Sequence, residues 1–110
     1  MKFSQKGSRE FGWEGIRGWA YSSKDDFPNM SCACINVTGR HGKTKNIRCD
    51  RVYFVTEGRG EFTVNGKKTG VKRNDAVIIP RGTPYDYGGK MKLVLVDSPA
   101  FEPEGDVKLE

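Results

Sequence analysis

Apolar residues along the chain recur at every second position or in short runs. No stretch holds a 3.6-residue apolar period for more than two turns, which predicts strands rather than helices. The expected strands run Ile16 to Ser22, Ser31 to Thr38, Arg51 to Thr56, Gly60 to Val64, Ala76 to Pro80, Tyr85 to Tyr87 and Met91 to Asp97. Asn65-Gly66 is a strong hairpin signal, and Gly88-Gly89 offers the positive φ that a tight turn requires. Short strands this numerous and evenly spaced predict an all-β sandwich or barrel over residues 15–98. Residues 1–14 are too polar for a core strand, but Phe3, Phe11 and Trp13 would anchor them as an arm on a neighbouring surface. Residues 99–110, rich in acids and carrying two prolines, predict an extended tail with Phe101 as its anchor. There is no internal repeat.

Composition narrows the chemistry. A chain of 110 residues has room for one domain with a modest core. A hydrophobic content of 35% and a mean hydropathy of −0.66 predict a soluble protein. No run approaches the roughly 18 apolar residues of a membrane span, and the basic start lacks the apolar stretch of a leader, so the expected setting is cytoplasmic with no membrane partner. Nineteen Lys and Arg against fourteen Asp and Glu leave +5, gathered at Arg40–Arg51 and Lys67–Arg73. Charge of this kind confers only salt-sensitive affinity for nucleic acid. With no helix-turn-helix, finger or stacking motif, solvated turns are the favoured reading and nucleic acid is not expected as a partner. Cys32, Cys34 and Cys49 are odd in number, and Cys32 and Cys34 on one strand are poorly placed for a mutual disulfide, which fits a reducing compartment. With His41 they carry the donors of a tetrahedral zinc site, but Cys-x-Cys lacks the usual two-residue spacing, and buried cysteine is commonly structural. One histidine excludes any site that needs two imidazoles from one chain.

Arg51-Val52-Tyr53-Phe54-Val55-Thr56-Glu57-Gly58-Arg59-Gly60 through Gly66 resembles the first motif of the cupin superfamily after its metal ligands. Arg73-Asn74-Asp75-Ala76-Val77-Ile78-Ile79-Pro80-Arg81-Gly82-Thr83-Pro84-Tyr85 resembles the second, with its Pro-x-Gly in place. The resemblance spans roughly residues 37–99 and implies a single-domain cupin jelly-roll β-barrel, usually a homodimer. Metal-binding cupins carry His-x-His and a Glu in the first motif and a further His in the second. Here the Glu position is Arg51, the second-motif His is Tyr85, and the paired His positions fall on Lys45 and Ile47 or on Thr44 and Asn46. A fixed positive charge where a cation would sit argues against the usual metal, and no cofactor is expected.

Strand alternation puts Arg51, Tyr53 and Val55 on the inward face that the resemblance assigns to the Glu ligand, with Cys49 two residues earlier. Tyr85 and Tyr87 would project into the same barrel mouth. Arg51, Tyr53, Tyr85 and Tyr87, with Asn46 and Cys49, would form a pocket for a small polar or anionic molecule, carbohydrate-like in its hydroxyls. The competing reading has Arg51 paired with Asp50, Asp86 or Asp97 and the tyrosines filling the barrel. Metal-free cupins that isomerise or epimerise nucleotide sugars use a His with a Tyr, which makes His41 and Tyr85 the catalytic candidates. The segment Gly39-Arg40-His41-Gly42-Lys43 reads as a loop with a solvated His41, which would exclude that chemistry. The third alternative is a structural or regulatory dimerisation module with a solid barrel.

Overall fold

The computed structural model describes residues 1–110. Nine antiparallel strands curl into one barrel-like sheet. They are β1 (Arg9–Trp13), β2 (Ile16–Ala20), β3 (Ser31–Val37), β4 (Thr44–Asn46), β5 (Asp50–Val64), β6 (Lys67–Lys72), β7 (Ala76–Ile79), β8 (Tyr85–Ser98) and β9 (Asp106–Lys108). The long strands β5 and β8 pair along their whole length, from Asp50 opposite Ser98 to Val64 opposite Tyr85. One half of this pair is flanked by β7 on one side and by β3, β2 and β1 on the other; the opposite half is flanked by β6 and by β4 and β9. The bend between the halves closes the barrel.

Glycine makes that bend possible. The pattern predicts breaks at Gly58–Gly60 and Gly88-Gly89, yet both strands run through. The register slips between Val55 and Glu57, and Gly58 takes φ +81 directly against β8. A Cβ on Gly58 would lie 2.2 Å from the Lys90 carbonyl oxygen, so the strands touch where a side chain would part them. Asn65-Gly66 does form the β5–β6 turn, with both residues at positive φ as a two-residue hairpin requires.

Two peripheral expectations change. The arm is partly sheet: β1 pairs with β2 from Arg9 opposite Ala20 to Trp13 opposite Ile16. The polar residues of β1 misled the pattern because only Phe11 packs on the core while alternate positions meet solvent. The tail folds back through a 3-10 turn (Pro103–Gly105) into β9, which pairs with β4. Its strand is too short for periodicity to register. Inward positions of β3, β5 and β8 supply the core, with Ile35, Val37, Tyr53, Val55, Leu93 and Leu95 all buried.

Two glycines at similar φ separate backbone cost from crowding. Gly66→Ala, at φ +80 with nothing within 4 Å of the new methyl, should cost about 1–2 kcal/mol. Gly58→Ala should cost at least about 3 kcal/mol because strand separation is added. Urea denaturation of both variants measures the difference, and equal losses would refute the account of the bend.

Candidate functional site

The site is built on cross-strand register. Arg51 on β5 lies opposite Asp97 on β8, and both side chains point inward and are buried. Arg51 Nε donates to Asp97 Oδ1 at 2.6 Å and Nη2 donates to Oδ2 at 2.9 Å, a bidentate pair. The remaining nitrogen, Nη1, donates to the Tyr85 hydroxyl at 2.7 Å and reaches Asp106 Oδ1 at 3.4 Å. Tyr85 in turn shares a hydroxyl hydrogen bond of 2.8 Å with Tyr53. Burial works against the guanidinium charge, but Tyr53, Asp97 and Tyr85 hold its pKa above the ordinary arginine value. Of the three carboxylates weighed from the sequence, Asp97 is the partner, so the forked face of Arg51 is already engaged. Burial raises the pKa of Tyr53, Tyr85 and Tyr87, and all three phenols stay protonated. The Tyr87 hydroxyl is buried and has no hydrogen-bond partner.

His41 is not solvated. Its ring stacks on Tyr87 with centroids 4.6 Å apart and on Tyr85 at 5.8 Å, and the edge of Trp13 closes on it at 5.1 Å. Glycine and charge made residues 39–43 read as an exposed loop, but side chains distant in sequence hold it in. The His41 amide donates to the Tyr87 carbonyl at 2.7 Å and the Trp13 indole donates to the His41 carbonyl at 3.0 Å. The Gly42 amide donates to Asp86 Oδ1 at 2.9 Å. His41 Nδ1 lies 2.8 Å from the Gly42 carbonyl, which can only accept, so Nδ1 carries the proton and Nε2 keeps the lone pair. Burial lowers the His41 pKa, which keeps the imidazole neutral at neutral pH.

A cavity of about 230 Å³ opens between these groups. His41, Tyr53, Tyr87, Arg51 and Asp97 line it together with Phe11, Trp13 and Ile16. It lies below the roughly 300 Å³ at which drug-sized pockets begin, a size for a ligand of one or two rings. Tyr85, expected in the pocket, does not line this cavity and reaches it only through its hydrogen bond with Tyr53. Asn46 and Cys49 are outside the cavity lining. Asn46 Nδ2 donates to Asp106 while its Oδ1 accepts from the amides of Arg48 and Cys49, and the Cys49 thiol donates to the Pro99 carbonyl. Burial raises the Cys49 pKa and keeps the thiol un-ionised. Trp13, Arg9 and Asp106 belong to the cavity but were not picked out from the sequence. The only signal was the period-two spacing of Arg9, Phe11 and Trp13.

Thr44 and Asn46, not Lys45 and Ile47, are the buried pair at the paired-histidine positions. The donor set around Arg51 does not fit the superfamily's divalent cation: a guanidinium fills the carboxylate position, a phenol the histidine position, and no three His, Cys, Asp or Glu side chains gather as ligands. The same holds for the zinc grouping of Cys32, Cys34, Cys49 and His41, because His41 is taken into the aromatic stack and Cys49 faces Pro99.

Residues 42–97 match the family described as cupin domain, and the chain belongs to it. An uncharacterised protein of Methanocaldococcus jannaschii is 26% identical over 86 residues, 74% of this chain and 69% of that protein. Among solved structures, Pac13, described as a unique nucleoside dehydratase, is 26% identical with a TM-score of 0.91, covering 100% of this chain and 91% of its own. The Streptomyces protein has also been solved with uridine as one histidine-to-glutamine and two tyrosine-to-phenylalanine variants, each 25% identical to this chain. KdgF from Halomonas, at 18% identity and a TM-score of 0.78 over 93% of this chain and 96% of its own, shares the fold.

Two measurements check the site. His41 is the only histidine, so its imidazole resonance can be titrated alone by NMR. The midpoint should fall below the ordinary 6.5, and a midpoint at or above 6.5 would contradict the burial described. Because the folded pKa is the lower one, the contribution of His41 to stability is present above about 6.5 and is lost as pH falls through the native value. Asp97→Asn leaves a buried guanidinium uncompensated and should cost roughly 3–5 kcal/mol in urea denaturation. The double change Arg51→Met with Asp97→Leu should recover much of that, and equal losses would argue against direct coupling.

Proposed function

We propose that this protein is a lyase that removes water from the sugar of a nucleoside-like substrate, with His41 as base and tyrosine as acid. The observation that carries the reading is a neutral His41, protonated at Nδ1, lining the same small cavity as Tyr53 and Tyr87. The similarity to the nucleoside dehydratase supports it, and the binding of a small polar molecule expected from the sequence is contained in it.

The chemistry follows from the pKa directions. Nε2 takes a proton from a sugar carbon, the C–H electron pair forms a C=C bond, and the C–O bond at the neighbouring carbon breaks. A phenol delivers the proton that turns the departing hydroxide into water. A base with a lowered pKa needs an acidified C–H, so the substrate carries a carbonyl next to that carbon. Tyr87, with no protein partner for its hydroxyl, donates to the carbonyl oxygen as charge develops there. Tyr85 accepts from Arg51 and gives its own proton to Tyr53, which leaves the Tyr53 proton for the leaving group. Arg51 also offsets negative charge arising on the phenols.

Nucleosides with an oxidised sugar, incubated with the purified protein, should lose one water by mass spectrometry. The rate should rise with pH through the His41 pKa and then level off. His41→Gln should lower kcat by about 10²–10⁴-fold, and Tyr53→Phe and Tyr87→Phe roughly a hundredfold. Binding of such nucleosides with no turnover would replace the lyase by a binding module. Full activity of His41→Gln would remove the base assignment.

A further inference from the structure

The sequence placed the anion-binding handle at Arg51, but Asp97 occupies it. The same cavity contains another guanidinium, at the end farthest along β2 and β3 from Trp13. Arg9 on β1 is opposite Ala20 on β2, which is opposite Ala33 on β3. Alternation turns Arg9, Phe11 and Trp13 to the cavity together, and all three line it. Glu10 faces the other way, where it pairs with Arg17 at 3.3 Å. Arg9 therefore lines the cavity from its exposed side without a carboxylate of its own.

Ser22 and Ser31 line the same end. The Ser22 hydroxyl oxygen accepts from the Cys32 amide at 3.2 Å, and the Ser31 oxygen accepts from the Phe101 amide at 2.9 Å. Each hydroxyl has spent its oxygen on a backbone N–H and retains a proton to donate. The nearby carboxylates are engaged elsewhere. Asp97 is held bidentately by Arg51, Asp106 accepts from Asn46 and Arg51, and Asp26 accepts from the Ser23 amide at 2.9 Å. The Arg9 end of the cavity thus carries donors, one of them cationic, beside the Arg51–Asp97 pair and in the same cross-strand row as Tyr53, while His41 and Tyr87 lie with Trp13 at the other end.

Resting on the nucleoside reading above, we infer that Arg9, Ser22 and Ser31 form a subsite for an anionic group, so that the substrate is a nucleoside bearing a phosphate or a carboxylate. A forked guanidinium binds either group through paired N–H donors, and the two serine hydroxyls satisfy the remaining acceptor positions. Phe11, beside Arg9 on the same face, supplies apolar surface for the part of the ligand between the anion and the reacting sugar carbon.

Calorimetric titration of the native protein with uridine, uridine 5′-phosphate and uridine 5′-carboxylate tests this. At least one anionic ligand should bind about tenfold or more tightly than uridine, and which one does so distinguishes phosphate from carboxylate. Arg9→Gln should bring that ratio close to one, Arg9→Lys should retain part of it, and Ser22→Ala with Ser31→Ala should reduce it about threefold. Rising salt should weaken the anionic ligand but not uridine. Equal binding of uridine and both anions, or a preference that survives Arg9→Gln, would overturn the subsite while leaving the nucleoside reading in place. Failure of all three ligands to bind the native protein would overturn both.

Discussion

The pairing of Arg51 with Asp97 is the constraint on which the site rests. Both residues are buried, at 6% and 2% exposure, and neither charge is tolerable there without the other. The pair exists because β5 and β8 are in register, and it orients everything attached to it. With two nitrogens held by the carboxylate, the guanidinium plane is fixed and Nη1 is aimed at Tyr85, with Asp106 at longer range. Tyr85 then fixes Tyr53. A pair of apolar residues could fill the same space at little cost in stability, but it would leave the phenols without a direction.

The fold was largely legible because burial on alternate positions is a strong signal in β5, β3 and β8. Asn65-Gly66 was legible for a different reason, since few residue pairs supply two positive φ angles in succession. Gly58 and Gly89 carried the same compositional signal yet do different work. They permit close strand contact inside continuous strands, and a single sequence does not separate a turn glycine from a crowded one. The inward set Arg51, Tyr53, Tyr85 and Tyr87 followed from strand parity. The aromatic cage of His41 did not, because each contact that buries the ring comes from a strand remote in sequence: Trp13 from β1, Tyr85 and Tyr87 from β8.

His41 shows how a polar loop becomes part of a site. Asp86 Oδ1 accepts from the amides of Gly42 and Tyr87, so one carboxylate oxygen joins the histidine loop to the strand carrying the tyrosines. Arg40 reaches both Asp86 and Glu110, and the Lys43 amide donates to Glu110 at 3.1 Å. The loop is held from both sides by charges that read, in the sequence, as ordinary solvated residues. The basic stretch from Arg40 to Arg51 therefore divides by location: Arg40 anchors the loop, Arg48 pairs with Glu102 at the surface, and Arg51 organises the barrel interior.

Under the proposed reaction, this arrangement works without the superfamily's usual metal ligands. A divalent cation would polarise a substrate oxygen by its charge; here the Arg51 guanidinium is paired with Asp97 and acts on the reacting groups mainly through the hydroxyls it orients. Transmitted through two phenols, that orientation presents a neutral O–H donor, while Nδ1 bonding and burial present a neutral imidazole acceptor. A neutral donor and a neutral acceptor lining one cavity match the proposed reaction, in which a proton leaves one carbon and another joins the oxygen of its neighbour. Retaining a metal would have placed a cation beside the imidazole and competed for its lone pair. A guanidinium and a phenol at the ligand positions and an imidazole from outside them are therefore mutually compatible parts of one site.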